Sequence, residues 1–321
     1  MKAVLCKEFG PASSLVLEET TDPVAKANEV VLDIHAAGVN FPDTLIIQGQ
    51  YQFKPELPFS PGGEVAGIVK SVGEGVTRFK PGDRVIAATT WGGYAEEVVA
   101  EAARTLPMPD GMDFATAAAF TLTYGTSHHA LKDRAVLQPG ETLLVLGAAG
   151  GVGLTAVEIG KLMGARVVAC ARGADRLEAA RAAGADHLID AATQDIRTEM
   201  KALGGADVVY DPVGGDQFEA AFRACRPEAR ILTIGFASGS VPQIKANHLL
   251  VKNLTVMGLY WGGYLGFRPE VLTRSLATLF DWHAAGRLRP HVSHVLPLER
   301  AAEGLDLLRR RAATGKVVIR I

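Results

Sequence analysis

The segment Leu143-Leu144-Val145-Leu146-Gly147-Ala148-Ala149-Gly150-Gly151-Val152-Gly153 constrains this chain more than any other. An apolar run of strand length ends in a glycine cluster. An alanine-rich apolar run with helical spacing, Leu154 to Met163, follows at once. Strand, tight turn and helix start in that order are the context in which a glycine cluster binds a dinucleotide. Glycines at 147, 150, 151 and 153 let the backbone turn sharply and approach a pyrophosphate. The helix start at Gly150, Gly151 and Val152 then offers unpaired N–H groups and a positive dipole end to the phosphates. The spacing is a variant, G-x-x-G-G-x-G, and a close helix–strand contact that needs small residues reads the same way.

The next strand-like run, Arg166 to Ala171, ends at Arg172-Gly173-Ala174-Asp175-Arg176. An NAD site places an Asp or Glu roughly 20 residues past the glycines to bond the ribose 2′-hydroxyl. Here Arg172 stands at the strand end and Arg176 one helical turn later, with Gly173 between them. Guanidinium groups suit a 2′-phosphate, which they grip with paired, charge-assisted hydrogen bonds. Asp175 is the nearest acid, at a helix start where a carboxylate favours the dipole. Solvated surface charge is the other reading of each arginine; together they point to NADPH.

On either side of this segment the pattern differs. Glu29 to Val39, Gly62 to Val72, Asp83 to Ala88 and Tyr94 to Ala100 are short β-branched or alternating runs separated by turn residues. Asp113 to Ala135 predicts a helical stretch broken near Gly125. After Leu143, five further strand-length runs (167–170, 187–189, 207–210, 231–234, 254–257) alternate with helical segments, and Gly184 closes one helix. Such alternation means a parallel sheet with helices on both faces. The tail predicts helix 269–284, strand 292–296, helix 299–311 and strand 316–321. A nucleotide domain inserted into a β-rich domain fits this order.

Composition excludes several classes. A net charge of −2 with no basic run argues against nucleic acid as a partner. No apolar stretch reaches bilayer length, and Lys2-Ala3-Val4-Leu5 is strand-like with no signal peptide, so no membrane is expected and the cytoplasm is the default compartment. Three isolated cysteines, Cys6, Cys170 and Cys225, fit a reducing compartment.

Taken together the chain resembles the medium-chain dehydrogenase/reductase superfamily, and within it the zinc-free NADPH:quinone oxidoreductases. The residues that carry the resemblance are Ala37-Gly38-Val39-Asn40-Phe41-Pro42-Asp43, Pro61-Gly62-Gly63-Glu64-Val65-Ala66-Gly67, Lys80-Pro81-Gly82-Asp83-Arg84-Val85, the glycine turn, and Asp211-Pro212-Val213-Gly214-Gly215. Ala246-Asn247, Met257-Gly258-Leu259-Tyr260-Trp261 and Thr314-Gly315-Lys316-Val317-Val318 are similar to one quinone-reductase branch. The resemblance implies an α/β fold. It combines a GroES-like β-rich catalytic domain, 1–122 with 265–321, and a Rossmann doubly wound parallel sheet for NADPH, 123–264, with the active site in the cleft between them.

Zinc alcohol dehydrogenases of the superfamily need a Cys and a His in the first domain. Those places look like Asn40 and Gly63, and four closely spaced cysteines for a structural zinc are absent. His128-His129 point about 100° apart if helical, so no metal is expected. By resemblance Asn40 and Asp43 lie near nicotinamide and substrate, and Tyr51 lies on the cleft wall. Asn40 could donate its amide to a carbonyl oxygen or be a turn asparagine. Tyr51 could donate a hydrogen bond or proton to a quinone oxygen or cover apolar surface, and Asp43 could simply cap a helix. Thr126 matches a threonine near the nicotinamide amide, or sits at a helix kink. Gly235-Phe236 ends the fifth Rossmann strand, where open α/β sheets bind their ligands, or Phe236 is core. Tyr260 and Trp261 line the quinone pocket, or a subunit contact. Arg311 matches a tail arginine that reaches the adenosine phosphate, or ends a helix in solvent. An adenine-stacking tyrosine of some relatives is Ala191 here.

The implied activity is zinc-independent hydride transfer from NADPH to a quinone. The alternatives are a reductase of activated C=C bonds (an enone or enoyl-thioester) and a nonenzymatic NADPH-binding redox sensor. A homodimer is expected, because the sixth Rossmann strand would be an open sheet edge.

Overall fold

The long alternating run Glu29–Val39 becomes the spine of the first sheet. It pairs antiparallel with Glu64–Val72 on one side, and on the other with Glu97–Glu101 along its first half and Lys316–Arg320 along its second. Irregular register at Val31/Leu32 and Ile34/Ala36 bends it, as bulges do. Arg84–Ala88, Thr105–Pro107 and Val292–Pro297 complete a seven-stranded sheet, and Lys2–Leu5 with Val16–Glu19 form a separate hairpin pair. Val30, Leu32, Ile34, Ala37, Val39, Val65, Val85, Val317 and Ile319 fill its core together with Leu305 of the helix Ala301–Arg309. These elements come from a computed structural model that describes residues 1–321, in which Met1–Leu122 and Pro290–Ile321 make one compact unit and Thr123–Arg289 a second.

The second unit is the doubly wound sheet that the strand–helix alternation predicts. Its parallel strands are β1 (Thr142–Leu146), β2 (Arg166–Ala171), β3 (His187–Asp190), β4 (Ala206–Asp211), β5 (Cys225–Thr233) and β6 (Thr255–Gly258), in the spatial order β3-β2-β1-β4-β5-β6. The helices are α1 (Gly151–Leu162), α2 (Ala174–Ala182), α3 (Ile196–Ala202), α4 (Gly215–Ala224), α5 (Ala246–Lys252) and α6 (Pro269–Ala284). Every side chain of β1 is buried, as a strand covered on both faces requires. Leu144 and Leu146 face Ile196 and Met200 of α3 and Phe218 and Phe222 of α4, whereas Leu143 lies against Gly160 of α1. Gly184, at φ +106°, closes α2 as its position in the sequence suggests.

Two expectations are corrected. Residues 265–289, assigned above to the catalytic domain, belong to the second unit, because α6 packs there: Ser275 bonds His128 and Trp282 lies edge-on to the same imidazole. The helical stretch 113–135 breaks at Ala119-Phe120, between Phe114–Ala118 and Thr121–His128, and not at Gly125. Gly125 sits inside its helix because a Cβ there would lie 3.0 Å from the Trp261 indole; the small residue makes room for a ring.

Candidate functional site

In the second unit the glycine turn leaves β1, the strand from which the chain winds out in both directions. In open α/β sheets the crevice at that switch point takes the ligand. Gly147 is left-handed at φ +57°, and a Cβ on residue 153 would lie 2.2 Å from the Gly147 carbonyl oxygen. The turn therefore closes only with glycine at 153, and the twelve-residue helix α1 starts at Gly151 with Gly150 as its cap. That end suits a pyrophosphate.

Beneath it lies a buried hydroxyl cluster that sequence reading did not single out. Ser127 Oγ is 2.8 Å from Thr155 Oγ1 and 2.9 Å from the Tyr210 hydroxyl, and it donates to the Val152 carbonyl at 3.0 Å. Thr155 back-bonds to Val152 and reaches the Thr123 carbonyl. The first turn of α1 is thereby tied to the helix Thr121–His128 and to β4. Thr126, half-buried, neighbours Ser127 on that helix.

Arg172 follows β2 directly and is exposed. Gly173 caps α2 at φ +86°, and Arg176 is half-buried, its Nη1 3.5 Å from the Arg172 carbonyl. The Gly173 N–H donates to Asp190 Oδ1 at 3.1 Å, which also accepts the Ala192 N–H; these bonds hold the Asp190 carboxyl below its usual range. Asp211, fully buried at the end of β4, accepts the Val213 and Gly214 N–H groups on Oδ1, and burial pushes its pKa up. Val213 in turn packs against Gly147. Phe236 is exposed beyond β5 and so is not core, and Tyr260 is exposed after β6. Trp261 is buried against Gly125, which makes it a packing residue of the second unit.

In the first unit Asn40 caps the helix Phe41–Ile46, and the Asp43 carboxylate reaches back to the Asn40 N–H at 2.8 Å. The Tyr94 hydroxyl donates to the same carboxylate oxygen at 3.0 Å. Burial outweighs these bonds and pushes Asp43 up to about 6, and it pushes the Tyr94 phenol well above its ordinary value. Asp43 is thus a buried cap.

The Asn40 side chain does not keep a free donor. Its amide donates to the Gly38 carbonyl (3.3 Å) and to Glu64 Oε2 (3.1 Å), while its Oδ1 accepts from Lys316 Nζ at 2.7 Å. Both amide hydrogens are engaged, so the carbonyl-polarising role expected of Asn40 is replaced by membership of a buried network. Glu64 and Lys316, which sequence reading quoted only within motifs, are its centre: Lys316 donates to Glu64 Oε2 (3.3 Å), Asn40 and the Val39 carbonyl, and Glu64 Oε1 accepts the Leu122 N–H at 2.8 Å. All three ammonium hydrogens have acceptors. Tyr51 packs on the apolar core and meets Phe53 edge-on at 5.1 Å. Arg311 stands just past the helix Ala301–Arg309, exposed and left-handed at φ +54°.

A catalytic zinc does not fit these residues. A buried ammonium already occupies Asn40 Oδ1, and a Cβ at residue 63 would lie 3.0 Å from the Thr90 carbonyl oxygen, leaving no room for an imidazole without moving that loop. His128 is held by Ser275 and pushed down to about 4 by burial, whereas His129 bonds Asp133. No three His, Cys, Asp or Glu side chains gather to hold a metal ion.

Comparison with known proteins agrees with this layout. The alcohol dehydrogenase GroES-like domain family matches residues 26–110 and the zinc-binding dehydrogenase family residues 151–279. Quinone oxidoreductase-like protein 2 of Bos taurus is 38% identical over 322 residues, covering 99% of this chain and 92% of its own length. The chain belongs to the quinone oxidoreductase-like family of the medium-chain dehydrogenase/reductase superfamily. Among solved structures, Escherichia coli quinone oxidoreductase complexed with NADPH has a TM-score of 0.94 at 30% identity, with 100% of both chains covered. A probable oxidoreductase from Mycobacterium abscessus has a TM-score of 0.90 at 37% identity, covering 100% of this chain and 99% of its own. Family membership makes this an oxidoreductase with a GroES-like domain and a Rossmann domain.

The buried pair in the first unit generates a stability prediction. Lys316→Met leaves the Glu64 carboxylate buried without its cation, which typically costs about 3–5 kcal/mol. Urea unfolding at neutral pH should show a loss of that size, partly recovered when Glu64→Gln is added; a loss below about 1 kcal/mol would mean that the pair is not the centre of the network.

Proposed function

We propose that this protein is a zinc-independent NADPH:quinone oxidoreductase. The observation that carries the reading is the pairing of the Gly147–Gly153 turn with Arg172, rather than an acid, at the end of β2 and Arg176 in the first turn of α2. Gly150, Gly151 and Val152 hold the pyrophosphate at the start of α1. Arg172, Gly173 and Arg176 take the 2′-phosphate, with Arg311 as a further adenosine-phosphate contact. Thr126, Phe236 and Tyr260 serve the nicotinamide side. The E. coli relative, complexed with NADPH, supports this choice of cofactor. When bound, NADPH supplies a hydride whose two electrons, with one proton taken up, convert a quinone to its hydroquinone. Tyr51 offers its hydroxyl to a quinone oxygen, and the Asn40–Asp43 cap positions the loop that leads to it.

The working form is a C2 homodimer. β6 is an edge strand with a half-exposed face, and α5 beside it shows Leu250 and Val251, 78% and 75% exposed. The Leu259 N–H bonds the Thr233 carbonyl, so the alternation of a parallel ladder turns the Val256 and Gly258 N–H groups toward the open edge. Val256→Pro removes such a donor. Light scattering at micromolar concentration should give a dimer mass for the wild type and a lower average for this variant. A wild-type monomer overturns the assembly.

Replacing Arg172 and Arg176 together with alanine should weaken NADPH binding at least about ten-fold, the scale of one charged hydrogen bond, while NADH binding changes little. Calorimetric titration of both cofactors checks this; equal losses, or none, contradict the assignment. Assayed beside quinones, an enone panel separates the acceptor classes: turnover of enones alone would replace the quinone reading.

A further inference from the structure

The first unit carries an aromatic row that the proposed function uses only at one end. Tyr51 meets Phe53 at 5.1 Å, and the Phe53 and Trp91 ring centroids lie 5.8 Å apart at a tilt of 44°. Tyr51 and Phe53 pack on the core, yet Trp91 keeps 43% of its surface exposed. Its turn is not free to fold the ring away. The Thr89 N–H bonds the Gly63 carbonyl at 3.0 Å, Gly92 bonds Ser60 at 2.7 Å and Gly93 bonds Gly62 at 2.9 Å, so both sides of the tip are clamped to the segment 60–63. Between the clamps Thr90 is left-handed at φ +73° and Gly92 lies at +99°. A β-branched residue in that region is a rare and strained conformation, retained where the surroundings over-determine it and concentrated at ligand sites. The half-exposed indole thus sits on a turn held by three backbone bonds and carrying one strained residue.

We propose that Trp91 is a specificity-determining residue of the acceptor site, and that it selects a flat fused-ring quinone of naphthoquinone size over a monocyclic quinone or an acyclic enone. The inference rests on the quinone-reductase reading and deepens it. The exposed part of the indole gains from a ligand chiefly by offset stacking and by covering its apolar area, and both grow with the overlapped ring. An acyclic enone has no ring to overlap, and a single ring covers less of the bicyclic indole than a fused one. Phe53 touches the indole and the backbone bonds hold the turn that carries it, so little backbone freedom is lost on binding.

The test compares wild type, Trp91→Phe and Trp91→Ala with a naphthoquinone, a benzoquinone and an acyclic enone as acceptors. For Trp91→Ala, kcat/KM for the naphthoquinone relative to the benzoquinone should fall about ten-fold, the scale of one lost stacking contact with its buried area. Trp91→Phe should keep most of the preference. Titrating the naphthoquinone into NADPH-free protein should quench tryptophan emission in the wild type and much less in Trp91→Phe, where Trp261 and Trp282 remain. Normal quinone turnover with an unchanged acceptor preference in Trp91→Ala overturns the role of Trp91 and leaves the function standing. A wild type that reduces no quinone overturns the function, and this inference with it.

Discussion

The dinucleotide end of this protein depends on one close approach. The carbonyl oxygen of Gly147 occupies the space that a side chain on residue 153 would need, so strand β1 passes into helix α1 with no atom to spare. That contact fixes where the helix N-terminus points, and the helix dipole acts on a ligand only within its first turn. Ser127, Thr155 and Tyr210 reinforce the same turn from beneath with hydroxyl bonds that water does not reach. Packing density and polar satisfaction serve one end here: a rigid edge of backbone N–H groups.

The first unit solves a different problem. A carboxylate and an ammonium are buried together, and such a pair is worth keeping only when every remaining hydrogen and lone pair is used. Lys316 comes from the tail of the sequence, Asn40 and Glu64 from its first quarter, and the Leu122 N–H from the last residue before the second unit. The network therefore ties the C-terminal strand to the end of the strand Glu29–Val39 and the start of Glu64–Val72. It also includes Asn40, the position where a zinc-bearing relative would need a thiolate. The polar residues that invite a catalytic reading in this unit are chiefly engaged with one another.

Much of this was legible in the sequence, and the reasons are physical. The six Rossmann strands and the alternating strands of the first sheet show because burial on one or two faces imposes a short-range pattern, and the glycine turn shows because no other residue fits it. Glu64 and Lys316 were not legible as partners, since they lie 252 positions apart and nothing local marks an ion pair. The break at Ala119-Phe120 was misplaced to Gly125 because a glycine in a helix reads as a breaker until the Trp261 ring beside it is seen. For the same reason 265–289 went to the wrong unit: the side chains of α6 are amphipathic in either setting, and only their partners decide. Asn40 and Asp43 stand three positions apart at one helix start, but how completely their polar atoms are taken up depends on Glu64, Tyr94 and Lys316, which are remote in sequence.

The central claim is that a hydride passes from NADPH to a quinone on this chain without a metal ion. Single-turnover mixing of the NADPH complex with a naphthoquinone, in chelator and with deuterium in the transferred C4 position of the cofactor, tests it most directly. The account predicts loss of the reduced-nicotinamide absorbance in one turnover, slowed by a primary isotope effect and unchanged by the chelator. No oxidation of the cofactor by any quinone, or oxidation that stops when metal is removed, would contradict it.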